Sequence, residues 1–284
     1  MGKSVATKEN NMLRGSVYEK FTSIAQDATK SEVQLISHLK LIPAAELIYM
    51  SITELAEKTL VGEATILRFC RKLGFSGFQD FKLNLSYDVA TNVQDVAEMN
   101  AKVAAEMNNT INQTSKSFDK ETLKKATSKI FSARKICVFA VGNSNIAALA
   151  TKYRLLKFNI DIDHAFDPHV QTVVTANLTE EDLLILISVS GSTKDIINLA
   201  EIAKKNKTSI LAITNYLKSP LANLADFILY NARKENPFEG GSLATVVGQI
   251  YLVDLLCAYI FNELGSVAKL SYKKSSESVS DKLL

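Results

Sequence analysis

At 284 residues, with 47% hydrophobic side chains, the chain is long enough for two domains and for a core that needs no metal or bridge to hold it. Its formal net charge of +3 is too small to name a partner. Three cysteines, Cys70, Cys137 and Cys257, are widely spaced inside apolar segments, so they read as reduced thiols of a cytoplasmic protein and exclude a disulfide or zinc framework.

The opening MGKSVATKENN is too polar for a signal peptide. Three serines then share one arrangement, each with Gln or Glu three residues on: Ser31 with Gln34, Ser51 with Glu54, and Ser76 with Gln79. That spacing lets a hydroxyl and a longer polar side chain satisfy orphan amides reciprocally, and it predicts three helix starts. Two short amphipathic helices are expected between Ser51 and Gly74. Ile52, Leu55 and Ala56 share one face of the first, while Ile66, Phe69, Cys70 and Leu73 share one face of the second. Leu60-Val61-Gly62 is then the three-residue turn of a helix-turn-helix, and Gly74 the left-handed stop. With its apolar face inward, the second helix turns Thr65, Arg68, Arg71 and Lys72 outward, where such side chains reach base edges and phosphates of operator DNA. The same cations also suit a solvated helix C-terminus, where they favour the dipole. Charge alone does not decide between the two, because up to and including Asp95 there are eleven basic and eleven acidic side chains.

The run ATILRFCRKLGFSGFQDFKLNL resembles the N-terminal domain of the RpiR family of bacterial transcription regulators, and the likeness extends over about residues 31–85. The resemblance implies a DNA-binding helix-turn-helix. Gly62 stands where that family commonly has a capping serine. As a cap, Gly costs only about a few tenths of a kcal/mol relative to Ser, but it removes one phosphate-contacting hydroxyl.

After a polar, helix-prone stretch, AEMNAKVAAEMNNTINQTSKSFD, the pattern changes. KICVFAV, IDIDHAF, LLILISV, TSILAIT and DFILY are short, apolar and rich in Ile, Val, Leu or Phe, and they alternate with segments of helical potential. Five such strands predict a parallel sheet covered on both faces in a flavodoxin-like order, with any ligand beyond the strand carboxyl ends. Two of those ends carry small polar loops. KICVFAV leads into Gly142-Asn143-Ser144, and LLILISV into Ser188-Val189-Ser190-Gly191-Ser192-Thr193. Close-approaching backbone amides, hydroxyl donors and a helix N-terminus together make a phosphate cradle. A plain turn with a hydroxyl cap uses the same residue types, so each loop alone is ambiguous and only the pair argues for a ligand. Neither loop has Gly-x-Gly-x-x-Gly spacing or a Gly-Lys-Ser/Thr end, so no nucleotide cofactor is expected, and no metal. The last apolar run, GQIYLVDLLCAYIFNELG, is interrupted by Gln249, Asp254 and Asn262 and reads as a core or interface helix.

This half resembles the sugar isomerase (SIS) domain over about residues 100–265, a domain whose phosphate loop has the form Ser-x-Ser-Gly-x-Thr. The resemblance implies that Ser144, Ser188, Ser190 and Thr193, with Gly142, Asn143, Gly191 and Ser192 around them, hold the phosphate of a phosphosugar. In SIS enzymes an acidic residue near the place of Glu239 can move a proton during aldose-ketose isomerisation. Glu239 can therefore serve as a general base, as an acceptor for sugar hydroxyls, or as an exposed loop carboxylate. His164, following a strand, is a further candidate contact to the sugar, although Asp167-Pro168 beside it also fits a simple helix start.

The expected architecture is an all-α helix-turn-helix domain over residues 1–90, a linker or helix over 91–117, and an α/β domain over 118–284. That last domain has a five-stranded parallel sheet, a flavodoxin-like SIS fold and a polar C-terminal tail. An RpiR-like head followed by an SIS domain is the usual order in that regulator family. The leading reading is a cytoplasmic regulator of sugar or amino-sugar catabolism whose binding to operator DNA is modulated by a phosphosugar effector. An amino-sugar 6-phosphate is the attractive effector class; a homodimer or tetramer is expected and a membrane partner is not. The alternative is a phosphosugar isomerase or lyase with Glu239 as base and an accessory helical head, and a third reading makes the head a protein-docking module. The recognition helix, superfluous to an isomerase, separates the first two.

Overall fold

A computed structural model describes residues 17, 20, 21, 24, 28–89, 96–233 and 243–278. They fall into two compact units, one of the described residues up to 89 and one of those from 96 on.

The first unit is helical, with α1 (Lys30–Leu41), α2 (Ala44–Leu47), α3 (Ile52–Thr59), α4 (Glu63–Lys72) and α5 (Phe78–Val89). At α3 the expected reciprocal cap is present. The Glu54 amide donates to the Ser51 hydroxyl at 3.0 Å, and the Ser51 amide donates to the Glu54 carboxylate at 2.8 Å. The other two caps are displaced from their expected positions. Thr29, not Ser31, caps α1 and pairs with Glu32. Gln34, released from that role, donates to the Thr59 carbonyl at the end of α3 at 2.9 Å. The Ser76 amide likewise donates to the Asp80 carboxylate at 2.8 Å rather than to Gln79. In both places a nearby carboxylate, Glu32 or Asp80, takes the amide in place of the carboxamide, and a carboxylate is the stronger acceptor.

The link from α3 to α4 has three residues, and Gly74 (φ +90°) ends α4 in the left-handed region as expected. Within the link the left-handed residue is Leu60 (φ +55°), 80% exposed, while Val61 is buried. The turn accepts a strained Leu backbone, at about 1–2 kcal/mol, to drive Val61 into the core. That core gathers Leu35, Leu39, Leu55, Ile66, Phe69 and Phe81.

The second unit comprises α6 (Val96–Lys116), α7 (Lys120–Ser132), β1 (Ile136–Ala140), α8 (Ser144–Leu156), β2 (Asp163–His164) and α9 (Pro168–Ala176). It continues through β3 (Leu183–Ile187), α10 (Lys194–Lys205), β4 (Ser209–Thr214), α11 (Pro220–Leu224), β5 (Phe227–Tyr230), α12 (Ala244–Leu264) and α13 (Ser266–Glu277). All neighbouring strands are parallel, in the order β2-β1-β3-β4-β5. This is the flavodoxin-like order, with its switch point between β1 and β3. Every residue of β1 and β3 is buried, as unbroken aliphatic runs require when helices cover both faces. The strand expected over IDIDHAF shrinks to two residues, because it lies at the sheet edge and Asp167-Pro168 starts α9 just beyond it.

By length and composition α12 could cross a membrane, but it is a core helix that buries Val246, Leu252, Val253, Leu256, Cys257 and Ile260. Burial pushes the Cys70 and Cys137 thiols up to about 12 and Cys257 up to about 11, so all three stay protonated and unreactive. Residues 99–105 of α6 are exposed, whereas its later Thr110 and Thr114 are buried. Gly248 of α12 lies in this region, and a Cβ there would stand 2.3 Å from Asn231 Oδ1 and 2.7 Å from Thr110 Cγ2. Asn231, just past β5, accepts from the Thr114 hydroxyl at 3.1 Å and donates to the Thr245 carbonyl at 3.0 Å.

Candidate anion site and candidate nucleic-acid helix

Strands β1 and β3 run side by side with Ala140 opposite Ile187, so the loops that follow them leave the same edge of the sheet as neighbours. After β1 the chain turns at Gly142 (φ +58°) and enters α8 at Ser144, which is 6% exposed. After β3 the Ser188 amide still donates to Ile213 of β4 at 3.0 Å, and the chain then turns at Gly191, also at φ +58°. Glycine is required there twice over, because a Cβ would lie 2.2 Å from Ser219 Oγ and 3.1 Å from Thr214 Oγ1.

The 188–193 loop is held from behind. The Val189 carbonyl accepts from the Asn215 amide at 3.1 Å and the Thr214 hydroxyl at 3.2 Å, and the Gly191 carbonyl accepts from the Leu221 amide at 2.9 Å. On the loop itself the Ser188 and Thr193 hydroxyl oxygens are 3.4 Å apart, and the Ser192 amide donates to Ser190 Oγ at 3.2 Å. Elsewhere in this unit Asp119, Asp167 and Ser219 cap α7, α9 and α11 with their side chains. At α8 and α10 the N-cap residues are Asn143 and Thr193, and neither side chain caps its helix. Two adjacent helix N-termini at the switch point thus present amides and positive dipole ends without a side-chain acceptor, the arrangement that suits an anion.

His164 lies on the same edge, at the end of β2 and on the far side of β1 from β3. Its Nδ1 is 3.0 Å from the Val138 carbonyl, its ring meets Phe166 edge-on at 4.7 Å, and its Nε2 is buried with no partner among the described residues. Glu239 lies outside the described residues. Two residues escaped sequence reasoning. Gln171 donates to the Ala140 and Ala165 carbonyls at 2.9 and 2.7 Å, pinning the end of β1 to the segment after His164. Gln249 of α12 donates to Ser144 Oγ at 3.1 Å. Its only sequence signal is a polar residue amid apolar ones.

In the first unit α4 buries Ile66, Phe69 and Cys70 and exposes Arg68 and Arg71. Arg68 donates to the half-buried Thr65 hydroxyl at 3.1 Å. Lys72 instead reaches back to α1, where its ammonium meets the Glu32 carboxylate at 3.0 Å. The Thr29 amide donating to Glu32, with Lys72 beside it, holds that carboxyl below the usual carboxylate range. Stability from this ion is therefore present at neutral pH and is lost as pH falls through the depressed folded value. Glu32→Gln should lower stability by about 1–3 kcal/mol at pH 7, and the gap from wild type should close in acid. Thermal melts across pH check this; a gap that persists at low pH would assign the effect to packing.

Comparisons with known proteins agree with this two-part layout. A family model for the helix-turn-helix domain, rpiR family, matches residues 15–92, and the SIS domain model matches residues 129–259. An uncharacterized HTH-type transcriptional regulator of Clostridium perfringens is 34% identical over 253 residues, covering 85% of this chain and 90% of that one. The Escherichia coli HTH-type transcriptional regulator HexR is 26% identical over 276 residues, covering 94% and 95%. Among solved structures, the Vibrio vulnificus NanR protein complexed with ManNAc-6P superposes with a TM-score of 0.85 at 28% identity, covering 94% of this chain and 99% of that one.

Proposed function

Because the chain belongs to the RpiR family of helix-turn-helix transcriptional regulators, we propose that a phosphosugar seated on the loops after β1 and β3 modulates its binding to operator DNA through α4. Its relatives are named HTH-type transcriptional regulators, which favours a regulator over an enzyme. What supports the ligand assignment is the pair of adjacent helix N-termini after β1 and β3, neither capped by a side chain, with the hydroxyls of Ser144, Ser188, Ser190 and Thr193 on the loops that lead into them. Ser144, Ser188, Ser190 and Thr193, with the backbone around Gly142, Asn143, Gly191 and Ser192, would hold the phosphate. His164 would face the sugar. A carbonyl only accepts, so the bond to Val138 puts the imidazole proton on Nδ1 and leaves Nε2 to accept from a hydroxyl or amide of the ligand. Glu239 would offer a carboxylate to the sugar from the segment before α12. The ManNAc-6P bound by the Vibrio vulnificus relative makes an amino-sugar 6-phosphate the first class to try.

In this reading Thr65, Arg68, Arg71 and Lys72 meet the DNA, with residues 1–90 as the reading head, 118–284 as the sensor and 91–117 between them. The protein acts in the cytoplasm as a homodimer or tetramer, whose paired heads read half-sites spaced by whole helical turns. Two measurements test it. Fluorescence anisotropy on a fragment of the protein's own promoter should show sequence-specific binding that an amino-sugar 6-phosphate changes at least 10-fold and the unphosphorylated sugar leaves alone. Equal affinity for scrambled DNA would remove the DNA-reading role. A thermal shift of about 2.7 kcal/mol is expected at a hundredfold excess of ligand over Kd, and Ser190→Ala with Thr193→Ala should abolish it. No shift across a panel of sugar phosphates would remove the effector.

A further inference from the structure

We propose that Gln249 is a positioning residue of the effector site, orienting the Ser144 hydroxyl so that it can only donate to the bound phosphate. The inference rests on the phosphosugar reading above. Gln249 is fully buried, on a helix whose other inward residues are nearly all apolar. Burying a carboxamide is unfavourable unless its groups are bonded, and an apolar side chain of similar size would serve the core better. Yet this carboxamide reaches 105 residues along the chain to make one bond, from Nε2 to Ser144 Oγ at 3.1 Å. Its Oε1 is buried and has no partner among the described residues. A half-satisfied amide kept at this point of the core serves the loop it touches.

The consequence for Ser144 follows from the inventory of a hydroxyl, which has one proton and two lone pairs. When Nε2–H occupies a lone pair, the hydroxyl proton turns away from Gln249. Ser144 is the first residue of α8, at a helix N-terminus that no side chain caps. An oriented O–H there selects a ligand group that accepts only, as a phosphate dianion does, over one that must donate. A carboxylate in place of the amide would reverse the order, taking the Ser144 proton and adding a negative charge next to the anion.

Isothermal titration of the full-length protein with ManNAc-6P, and separately with inorganic phosphate, tests this. Gln249→Met, close in volume, should weaken both ligands about 10-fold, and Gln249→Glu at least 100-fold. Because Gln249 acts through Ser144, the double variant Ser144→Ala/Gln249→Met should bind no more weakly than Ser144→Ala alone. A purely structural role would instead make the two losses multiply. Should Gln249→Met not fold, as judged by its unliganded melt, Gln249→Asn takes its place, since its amide stops one methylene short of Ser144. Wild-type affinity in the Met or Asn variant, or independent losses in the cycle, overturns the assignment and leaves the phosphosugar reading standing. If the wild type binds neither of these nor any other sugar phosphate of the panel, the phosphosugar reading itself fails, and with it this assignment.

Discussion

Gly191→Ala should raise the Kd for the effector at least 100-fold and leave the protein unresponsive to it. Left-handed backbone at φ +58° costs any L side chain about 1–2 kcal/mol. The greater obstacle is space, because the new Cβ would lie 2.2 Å from Ser219 Oγ. Ser219 is fully buried and cannot yield: its hydroxyl donates to the Tyr216 carbonyl at 2.9 Å and accepts from the Ala222 amide at 3.3 Å, capping α11. The 188–193 loop must therefore shift, and displacements near 1 Å are on the order of 100-fold in sites that depend on fixed geometry. Gly142→Ala is the control. It has the same φ, but its Cβ would meet nothing within 4 Å, so only the backbone strain remains and the loss should be near 10-fold. Equal losses in the two variants would mean that packing against Ser219 is not the cause.

Replacing Arg68 and Arg71 together by Ala should lower operator affinity by about 2–6 kcal/mol, at about 1–3 kcal/mol for each base-reading arginine. Both arginines are exposed on α4, and among the described residues Arg68 bonds only the neighbouring Thr65. If one contacts phosphate instead, its removal weakens all sequences alike and reduces the salt dependence by about one counterion. Lys72→Ala should behave differently, because its ammonium already meets Glu32. A lower melting temperature with a smaller loss of DNA affinity is expected. Unchanged binding of the double arginine variant to a specific fragment, measured by anisotropy at fixed salt, would move the interface off α4.

Much of this architecture could be read from local pattern. Runs such as LLILI have no polar alternation because both faces of β3 are covered, and that implies crossovers and a parallel sheet. The link from α3 to α4 and the Gly74 stop were equally legible, since each depends on a few consecutive backbone angles. The cap positions were not. Thr29 with Glu32 and Ser31 with Gln34 overlap in sequence, and only the competition between carboxylate and carboxamide chooses between them. Lys72 and Glu32, forty residues apart, and Gln249 and Ser144, 105 apart, meet only after the chain has folded. Periodicity marks which face a residue takes, but not which distant polar group it will find there.

The seating of Gly248 against Asn231 gives α6 the mechanics of a lever. Through Thr110 and Thr114 the later turns of this 21-residue helix are clamped to the end of the sheet, whereas residues 99–105 extend into solvent. A helix of that length spans about 30 Å, and a tilt of about 10° at the clamp sweeps its exposed end through roughly 3 Å over its outer half. For the same tilt the exposed residues 99–105 move several times farther than the clamped turns, so a small change at Asn231 is felt most at the other end of α6.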